Sequence, residues 1–257
     1  MVYLDAASTA KYSDIDSVVV NAITTAMKDN WHNPSSLYAA NVKEEINKCR
    51  KNIAKFIVAN SEEIIFTSGA SESNNMAIRG WVDNVLADNY KTVHIITTPI
   101  EHKSVLLSLQ NKNLRACIHY CDVDEYGFVD YNSLKQLLAM CDDEPVLVSV
   151  GMSNNEIGTN QDIRKISDLV HRYDGVLHVD GTQALGHIPI NVKELGIDMM
   201  SCSGHKISPV LSSPNLLTFL QVHFPYYFLH ESMLQKHEDL IFSVLLLFVQ
   251  YALHFAF

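Results

Sequence analysis

A three-layer α/β fold with a mostly parallel sheet is predicted for residues 1–208, where short apolar runs alternate with helix-length, polar-patterned stretches. The runs are rich in β-branched residues, as β-strands are. Uninterrupted apolar runs indicate strands covered on both faces, and alternation with helices indicates parallel crossover connections. The runs are EIIFT (63–67), TVHIIT (92–97), ACIHY (116–120), PVLVSV (145–150), VLHVD (176–180) and IDMMSCS (197–203).

Two helices are predicted before the first of these strands, over residues 15–29 and 42–58. In both stretches apolar residues recur at the three- and four-residue spacing of one helix face. In the second helix this stripe consists of Ile46, Cys49, Ile53 and Phe56.

Residues 209–257 differ in character from the rest of the chain. They contain no glycine and four charged side chains, and residues 240–257 carry no formal charge. Three interpretations are open: a membrane anchor, a buried terminal helix, or a tail produced by a frameshift or an alternative exon. Because the tail contains no glycine, we interpret it as out-of-frame or substituted sequence. The sequence thus divides into a domain at 1–208 and an atypical tail at 209–257.

Composition argues against some classes of binding partner and indicates a cellular compartment. The formal charge of −10 argues against nucleic acid or an anionic membrane as the main partner. The five cysteines are odd in number and scattered, so no disulfide framework is expected. Cys117 and Cys121 lack a second Cys/His pair at zinc-finger spacing, so we expect no metal site. The first ten residues do not form a secretory signal, and we expect a cytoplasmic protein.

A phosphate-binding turn is one interpretation of residues 63–75. A strand ending at Thr67 is followed by the small residues of the Ser68–Ser71 turn, among them Ala70, and then by a predicted helix starting at Glu72. Small residues allow close approach of an anion, and the first N–H groups of a helix attract negative charge. The alternative is an ordinary capped turn, with Ser71 as the N-cap and Asn74 one turn on.

Polar residues follow two later strands. Asp180 ends a buried strand, and an ionised carboxylate there needs a cationic partner such as a protonated pyridine nitrogen. Gln183 lies on the same side of the turn. Lys206 follows the last apolar run and can form a Schiff base with an aldehyde, while Ser203 and His205 can donate to a phosphate. The alternatives are a helix-capping aspartate and a solvated surface lysine.

Two further loops carry candidates of the same kind. His102 lies just past a strand and can stack on a planar cofactor and transfer protons. Asn154, Asn155 and Glu156 follow another strand, and an amide there can bind a cofactor oxygen or a substrate carboxylate. Taken singly, each is more often an ordinary loop residue. Together, the phosphate turn, histidine, amide, aspartate and lysine follow strand ends in the order that a pyridoxal phosphate site requires.

These motifs resemble the cysteine desulfurases and selenocysteine lyases, which are fold-type I pyridoxal phosphate enzymes related to the class V aminotransferases. The matching stretches, within residues 2–208, are YLDAASTA, NPSS, FTSGASESNN, EHKSV, NNEIGT, HVDGTQALGHIPI and SGHK. The resemblance implies a Schiff-base role for Lys206, a ring-nitrogen partner in Asp180 and a ring-hydroxyl contact from Gln183. It also implies that His102 stacks on the ring, that Asn155 lies near cofactor and substrate, and that Asn33 lies near the substrate. Phosphate-binding positions would be Ala70, Ser71, Ser203 and His205.

The resemblance further implies the cofactor pyridoxal 5'-phosphate and the conversion of L-cysteine to L-alanine with a persulfide left on the enzyme. Its sulfur would pass to an acceptor protein, a scaffold or sulfur carrier, for iron–sulfur clusters or tRNA thiolation. A homodimer is implied as well. A selenocysteine lyase or an aminotransferase of the same fold is an alternative, and so is a non-catalytic remnant that binds the cofactor or a partner.

The sequence departs from the family pattern after the lysine. The family continues with a Gly-Pro-Lys-Gly type segment, whereas this chain reads Ile-Ser-Pro-Val at residues 207–210. In the family, the nucleophilic cysteine, the carboxylate-binding arginine and the small C-terminal domain come later in the chain. None of the five cysteines matches that nucleophile, and Cys202 is interpreted as core. We therefore expect this chain as written not to complete persulfide transfer.

Overall fold

The computed structural model describes residues 7, 21, 24–28, 40–88, 90–141 and 144–207. Residues 21 and 24–28 are helical, in agreement with the helix predicted over 15–29, whose other residues lie outside this set. Asn33 and the tail at 209–257 also lie outside the described residues, so the predictions made for them stay predictions. No helix within the described ranges is long and apolar enough to cross a membrane.

Helices and parallel strands alternate along the described chain. In order they are α1 (Ala40–Ile57), a 3-10 turn (Ser61–Glu63), α2 (Ala70–Ala87), β1 (His94–Thr97), α3 (Lys103–Leu109), β2 (Cys117–Tyr120), α4 (Tyr131–Met140), β3 (Val146–Gly151), α5 (Ile163–His171), β4 (Val176–Asp180), α6 (Val192–Leu195), β5 (Met199–Ser201) and a second 3-10 turn (Gly204–Lys206).

The five strands form one parallel sheet in the order β2-β1-β3-β4-β5. The chain winds outward from β1 to β2 on one side and from β3 to β5 on the other. Loops that leave β1 and β3 at their carboxyl ends therefore diverge, which opens a crevice between them. This reversal of winding direction is where open α/β sheets bind ligands.

Two separate hydrophobic cores lie on the two faces of the sheet. On β3, Leu147 packs with α2 and α3, whereas its neighbours Val146 and Val148 pack with α1, α4 and α5. Adjacent strand residues point to opposite faces, so each strand contributes to both cores. Helices thus cover both faces, which confirms the predicted three-layer α/β fold. Cys202 is buried in the core as predicted.

The predicted strand at residues 63–67 is wrong in this structure, although its side chains are placed as a strand would place them. Ile64 is extended, and both Ile64 and Phe66 are buried in the core on the α1 side. No strand among the described residues pairs with this segment. The Arg50 guanidinium instead donates to the Ile64 carbonyl and lies over the Phe66 ring. Apolar patterning predicted burial correctly, but a strand also needs a neighbouring backbone.

Helix α1 spans almost the predicted range, with one change in its buried face. Val42, Ile53 and Ile57 are buried, whereas Phe56 of the predicted stripe is 38% exposed. Residues three and four positions after Ile53 both lie near the same face. The structure buries the later one, Ile57, because that residue points at the core.

Replacing Leu177 by alanine should destabilise the protein strongly. Leu177 is 0% exposed on the inner strand β4, and Leu→Ala in a close-packed core removes about 2–5 kcal/mol from the free energy of unfolding. The matched control is Leu107→Ala, because Leu107 is 62% exposed on α3 and its truncation should cost less than about 0.5 kcal/mol. Denaturant unfolding measures both. Equal losses would contradict the assignment of the buried sheet face.

Candidate active site

A pocket of about 390 Å³ opens at the carboxyl ends of β1, β3 and β4. Its walls come from the turn before α2, the loops after these three strands and the 3-10 turn that ends at Lys206. It therefore lies at the reversal of winding direction between β1 and β3, where the fold leaves a crevice. The lining includes Ser68, Gly69, Ala70, Ser71, Ile100, Glu101, His102, Gly151, Asn154, Asn155, Asp180, Thr182, Gln183, Ser203 and Lys206.

The carboxylate of Asp180 is fixed on the pocket wall by two donors. Its Oδ1 accepts from the backbone N–H of Thr182 at 3.0 Å, and its Oδ2 accepts from Asn74 Nδ2 at 2.8 Å. Asp180 is 8% exposed, so these bonds replace much of the water that the group loses on burial. Asp180 does not merely cap the following turn, because Asn74 reaches it from another helix.

Asn74 also connects Asp180 to His102. The Asn74 amide donates a second hydrogen bond, to Ser104 Oγ at 2.9 Å. Ser104 Oγ lies 2.8 Å from His102 Nδ1, which also accepts from the Ser104 backbone N–H at 3.1 Å. Nδ1 is thereby an acceptor, so a neutral His102 ring carries its proton on Nε2. One buried amide therefore positions the carboxylate and, through a hydroxyl, the imidazole.

Helix α2 begins at the pocket, two residues earlier than the sequence predicted. Its N-cap is Gly69 rather than Ser71, so Ala70 and Ser71 are the first helical residues. Their N–H groups are among those that a helix leaves without an intrahelical partner. Gly69 has φ 155° and ψ −179°, a conformation that essentially only glycine adopts. No atom lies within 4 Å of the position a Cβ would take, so the backbone is open to close approach.

The amine of Lys206 points toward the start of the chain. It donates to the Ala7 carbonyl at 2.6 Å, and Gln183 Nε2 donates to the same oxygen at 2.9 Å. His187 Nε2 lies 3.0 Å from the Lys206 carbonyl oxygen and fixes the backbone there. Ala7, Gln183 and Lys206, which are far apart in sequence, thus meet at one point. Lys206 is therefore held in the pocket wall and is not a freely solvated surface lysine.

The loop after β3 is fixed by Asn154. Its amide donates to the Ile100 carbonyl at 3.0 Å, and its carbonyl oxygen accepts from the Glu156 N–H at 2.8 Å and from the Ile157 N–H. Asn154 thereby ties the loops after β1 and β3 together. Asn155 follows it, and both asparagines line the pocket.

Eight of the nine predicted cofactor-binding residues line this one pocket. They are Ala70, Ser71, His102, Asn155, Asp180, Gln183, Ser203 and Lys206. The ninth, His205, lies in the 3-10 turn next to Lys206, and its side chain is outside the described set, as is Asn33. The structure brings the eight together, and their individual roles stay predictions.

Glu101 is a pocket residue that the sequence reasoning missed. Its carboxyl group accepts from Thr98 Oγ1 at 2.6 Å and lies against Gly151. Burial raises the pKa of Glu101 to about 8, the Asp180 charge adds to this, and hydrogen bonds from Thr98 and the Gly151 backbone oppose it. The carboxyl is therefore mostly protonated at neutral pH. Its place directly before His102, in a loop after a strand, was the signal available in the sequence.

His178 was also missed, because it lies in the middle of an apolar strand. Its Nδ1 is 2.9 Å from Ser149 Oγ and its Nε2 is 2.9 Å from Ser201 Oγ, so it bridges β3, β4 and β5. Burial lowers the pKa of His178 to about 4, against the opposing effect of Asp180. The ring is neutral above that pH and holds together the strands that end at the pocket.

The residues present fit pyridoxal 5'-phosphate. Gly69 and the α2 N-terminus offer an open, donor-rich approach to a phosphate. Asp180 is a carboxylate suited to a protonated ring nitrogen, and Lys206 supplies an amine. Thr182 also lines the pocket, and its buried Oγ1 has no hydrogen-bond partner among the described residues.

Replacing Glu101 by glutamine should change how stability depends on pH in the cofactor-free protein. The pKa of Glu101 is raised from 4.5 to about 8, so the folded state keeps a proton that the unfolded state releases. The contribution of Glu101 to the free energy of unfolding should thus fall by several kcal/mol as pH rises from 4.5 to 8. Glu101→Gln removes this fall, and Glu125→Gln, at an exposed site, should not. Urea unfolding at pH 5 and pH 8 compares the three proteins, and parallel pH profiles would disprove the effect.

Comparisons with known proteins agree with this geometry. The family described as aminotransferase class-V matches residues 2–210. The cysteine desulfurase IscS of Dictyoglomus turgidum is 42% identical over 208 residues, which is 80% of this chain and 50% of that protein. The chain thus spans about half the length of the curated relatives it matches.

Two solved structures resemble the fold closely. A NifS-like protein from Rickettsia africae has a TM-score of 0.69 at 33% identity, with 80% of this chain and 54% of that chain covered. SspA in complex with cysteine has a TM-score of 0.71 at 30% identity, with 80% and 58% covered. Because the family match covers most of the residues, including every element of the sheet and the pocket, this chain belongs to the aminotransferase class-V family, in which cysteine desulfurases are its relatives.

Proposed function

We propose that this chain binds pyridoxal 5'-phosphate in the pocket and provides the cofactor-binding domain of a cysteine desulfurase. Such an enzyme converts L-cysteine to L-alanine and an enzyme-bound persulfide. The observation that supports this most is the convergence of Asp180, Lys206 and the α2 N-terminus on one pocket. A carboxylate, an amine and an anion cradle are the three features that this cofactor needs. Relatives named cysteine desulfurase support the choice of substrate.

In this proposal, residues 1–208 form the cofactor-binding domain. Ala70 and Ser71 at the helix start, with Ser203 and His205, bind the phosphate. Asp180 pairs with the ring nitrogen, Gln183 contacts the ring hydroxyl and His102 stacks on the ring. Asn155 lies near both cofactor and substrate, and Lys206 forms the covalent attachment.

Each residue's chemistry follows from its surroundings. When bound, the cofactor supplies an electron sink for negative charge at the substrate's α-carbon. Asp180 keeps a proton on the ring nitrogen, because its own two oxygens are held in place by Asn74 and Thr182. The amine of Lys206 can take and return a proton. Proton transfer by His102 would use Nε2, because Ser104 occupies Nδ1.

The finer parts of the proposal rest on family resemblance. The sulfur would pass to a scaffold or sulfur-carrier protein in a reducing, cytoplasmic setting, and the active assembly would be a homodimer. Nucleic acid and membrane surfaces are not proposed as partners, because the chain carries a formal charge of −10.

Replacing Lys206 by alanine tests the proposal directly. Incubation with pyridoxal 5'-phosphate followed by borohydride reduction should attach the cofactor irreversibly to Lys206, as peptide mass spectrometry would show. Lys206→Ala should abolish this labelling, whereas Lys193→Ala on the distant helix α6 should leave it intact. Labelling unchanged in Lys206→Ala would contradict the assignment.

The same proteins distinguish a working desulfurase from a non-catalytic remnant. Alanine and sulfide are measured after L-cysteine is added to the full chain and to Lys206→Ala. Turnover that depends on Lys206 establishes desulfuration and disproves our expectation that the chain does not complete persulfide transfer. Labelling at Lys206 without alanine formation is the result we expect, and it would indicate a cofactor-binding domain that does not complete desulfuration by itself.

Replacing Asn74 by alanine should weaken cofactor binding by roughly ten- to a hundredfold. The change removes a donor to the Asp180 carboxylate, and a hydrogen bond to a charged group contributes about 1.5–3 kcal/mol. Asn75→Ala is the matched control, because the neighbouring amide bonds only to the Ser71 carbonyl among the described residues. Fluorescence titration with pyridoxal 5'-phosphate measures both affinities. Equal losses in the two variants would show that Asn74 acts only through helix stability.

A further inference from the structure

A second cluster of ligand-type side chains lies at the opposite end of the sheet, at the start of β1 and β2. His94 pairs with Cys117 and Ile96 pairs with His119 in the parallel register. Paired residues share a face, as do residues two apart on a strand, so His94, Cys117 and His119 lie on one face. That face packs against α4, whose C-cap residue is Cys141.

The side chains of His94, His119 and Cys141 converge on one point. His94 Nδ1 lies 2.9 Å from His119 Nε2, and the two rings stack with their centroids 5.1 Å apart. One ligand atom from each of the three residues lies within 4.8 Å of the other two. Two imidazole nitrogens on one tetrahedral zinc ion are about 3.3 Å apart, from Zn–N bonds of roughly 2.0–2.1 Å. The observed spacing is close to that value.

Glu144 completes the arrangement on the far side of His94. Its carboxylate is hydrogen-bonded to His94 Nε2, which fixes that nitrogen as the N–H and leaves the Nδ1 lone pair toward His119. Metal-binding histidines characteristically donate their other N–H to a carboxylate in this way. The Glu144 N–H donates to the Cys141 carbonyl at 3.0 Å, and this bond holds the two residues close together.

Hydrogen bonding by itself explains the positions of the His94 and His119 rings but not the position of the Cys141 thiol. In a metal-free network His119 Nε2–H donates to His94 Nδ1, and both rings are satisfied without any role for Cys141. Yet Cys141 is 3% exposed and lies within ligand distance of both rings. Two nitrogens and a sulfur at one point are the donor set that zinc prefers. The exposed Cys117 is close enough to interact electrostatically with Cys141 and borders the same point.

We propose that His94 Nδ1, His119 Nε2 and Cys141 Sγ bind one zinc ion, with Glu144 orienting His94 and the fourth position taken by solvent. On binding, His119 changes to the tautomer with its proton on Nδ1, which frees Nε2 for the metal, and Cys141 releases its proton to solvent and binds as the thiolate. The sequence predicted no metal site because these ligands come from two strands and a helix end, without finger-like spacing. The site lies at the amino ends of the strands, whereas the proposed cofactor lies at their carboxyl ends.

Metal titration of the untagged full chain tests the site. Chelator-treated protein should bind one equivalent of Zn²⁺, and Co²⁺ should give the charge-transfer absorption of a thiolate ligand. Cys141→Ser should abolish that absorption, and His119→Gln should weaken binding at least about tenfold. Glu144→Gln should weaken it by roughly 10–100-fold and retain the absorption, because that residue acts through His94.

Two controls match the variants chemically. His171→Gln removes a histidine that also contacts a carboxylate, Asp198 at 2.8 Å, on the far helix α5. Cys49→Ser removes a thiol on α1. Both should bind zinc as the parent chain does. Circular dichroism, measured alongside, shows whether each variant is folded, and if Cys141→Ser fails to fold, His119→Gln decides.

Absence of stoichiometric zinc binding overturns the proposal. So does equal binding by the parent chain, Cys141→Ser and His119→Gln, which would show adventitious metal. Charge-transfer absorption that survives Cys141→Ser and disappears in Cys117→Ser would show that the exposed thiol of Cys117 is the ligand and the buried thiol of Cys141 is not. That result would contradict the proposed ligand set.

Discussion

The carboxylate of Asp180 cannot leave water unless other groups donate hydrogen bonds to it, and much of the pocket is arranged around this requirement. Asp180 ends a strand that is buried on both faces, and its donors come from the following turn and from helix α2. The helix donor, Asn74, also bonds to Ser104 at the start of α3. The position of one charge thus fixes the relative placement of a strand and two helices, and with them His102.

Burial favours the uncharged forms of two ionisable side chains near Asp180. Glu101 has a pKa raised to about 8 and His178 a pKa lowered to about 4, in both cases mainly because burial disfavours the charged form. At neutral pH both neighbours are therefore mostly uncharged. An unopposed carboxylate in such a place favours a cationic ligand group, which is the property that a protonated pyridine nitrogen needs. The electrostatics and the hydrogen bonds therefore support the same proposal.

The two ends of the sheet are specialised in different ways. At the carboxyl ends, diverging loops leave a crevice lined by residues from many segments. At the amino ends, strands β1 and β2 bring His94 and His119 together against the end of α4. Both clusters depend on the same parallel register, because a slip of one residue would turn these side chains to the other face.

Sequence by itself determined the layers of this protein and most of the pocket. Five of the six apolar runs form parallel strands, because a strand that is apolar at every position needs both of its faces covered by other elements. The residues after those strands were found because parallel strands bring their carboxyl ends to one edge.

Tertiary structure decided the rest. The run at 63–67 lacks a pairing strand among the described residues, and Glu101 has its raised pKa only through burial beside Asp180. The contact of Ala7 with Lys206, and the meeting of His94, His119 and Cys141, join residues far apart in the chain. No local pattern encodes such contacts, because they depend on how separate elements pack.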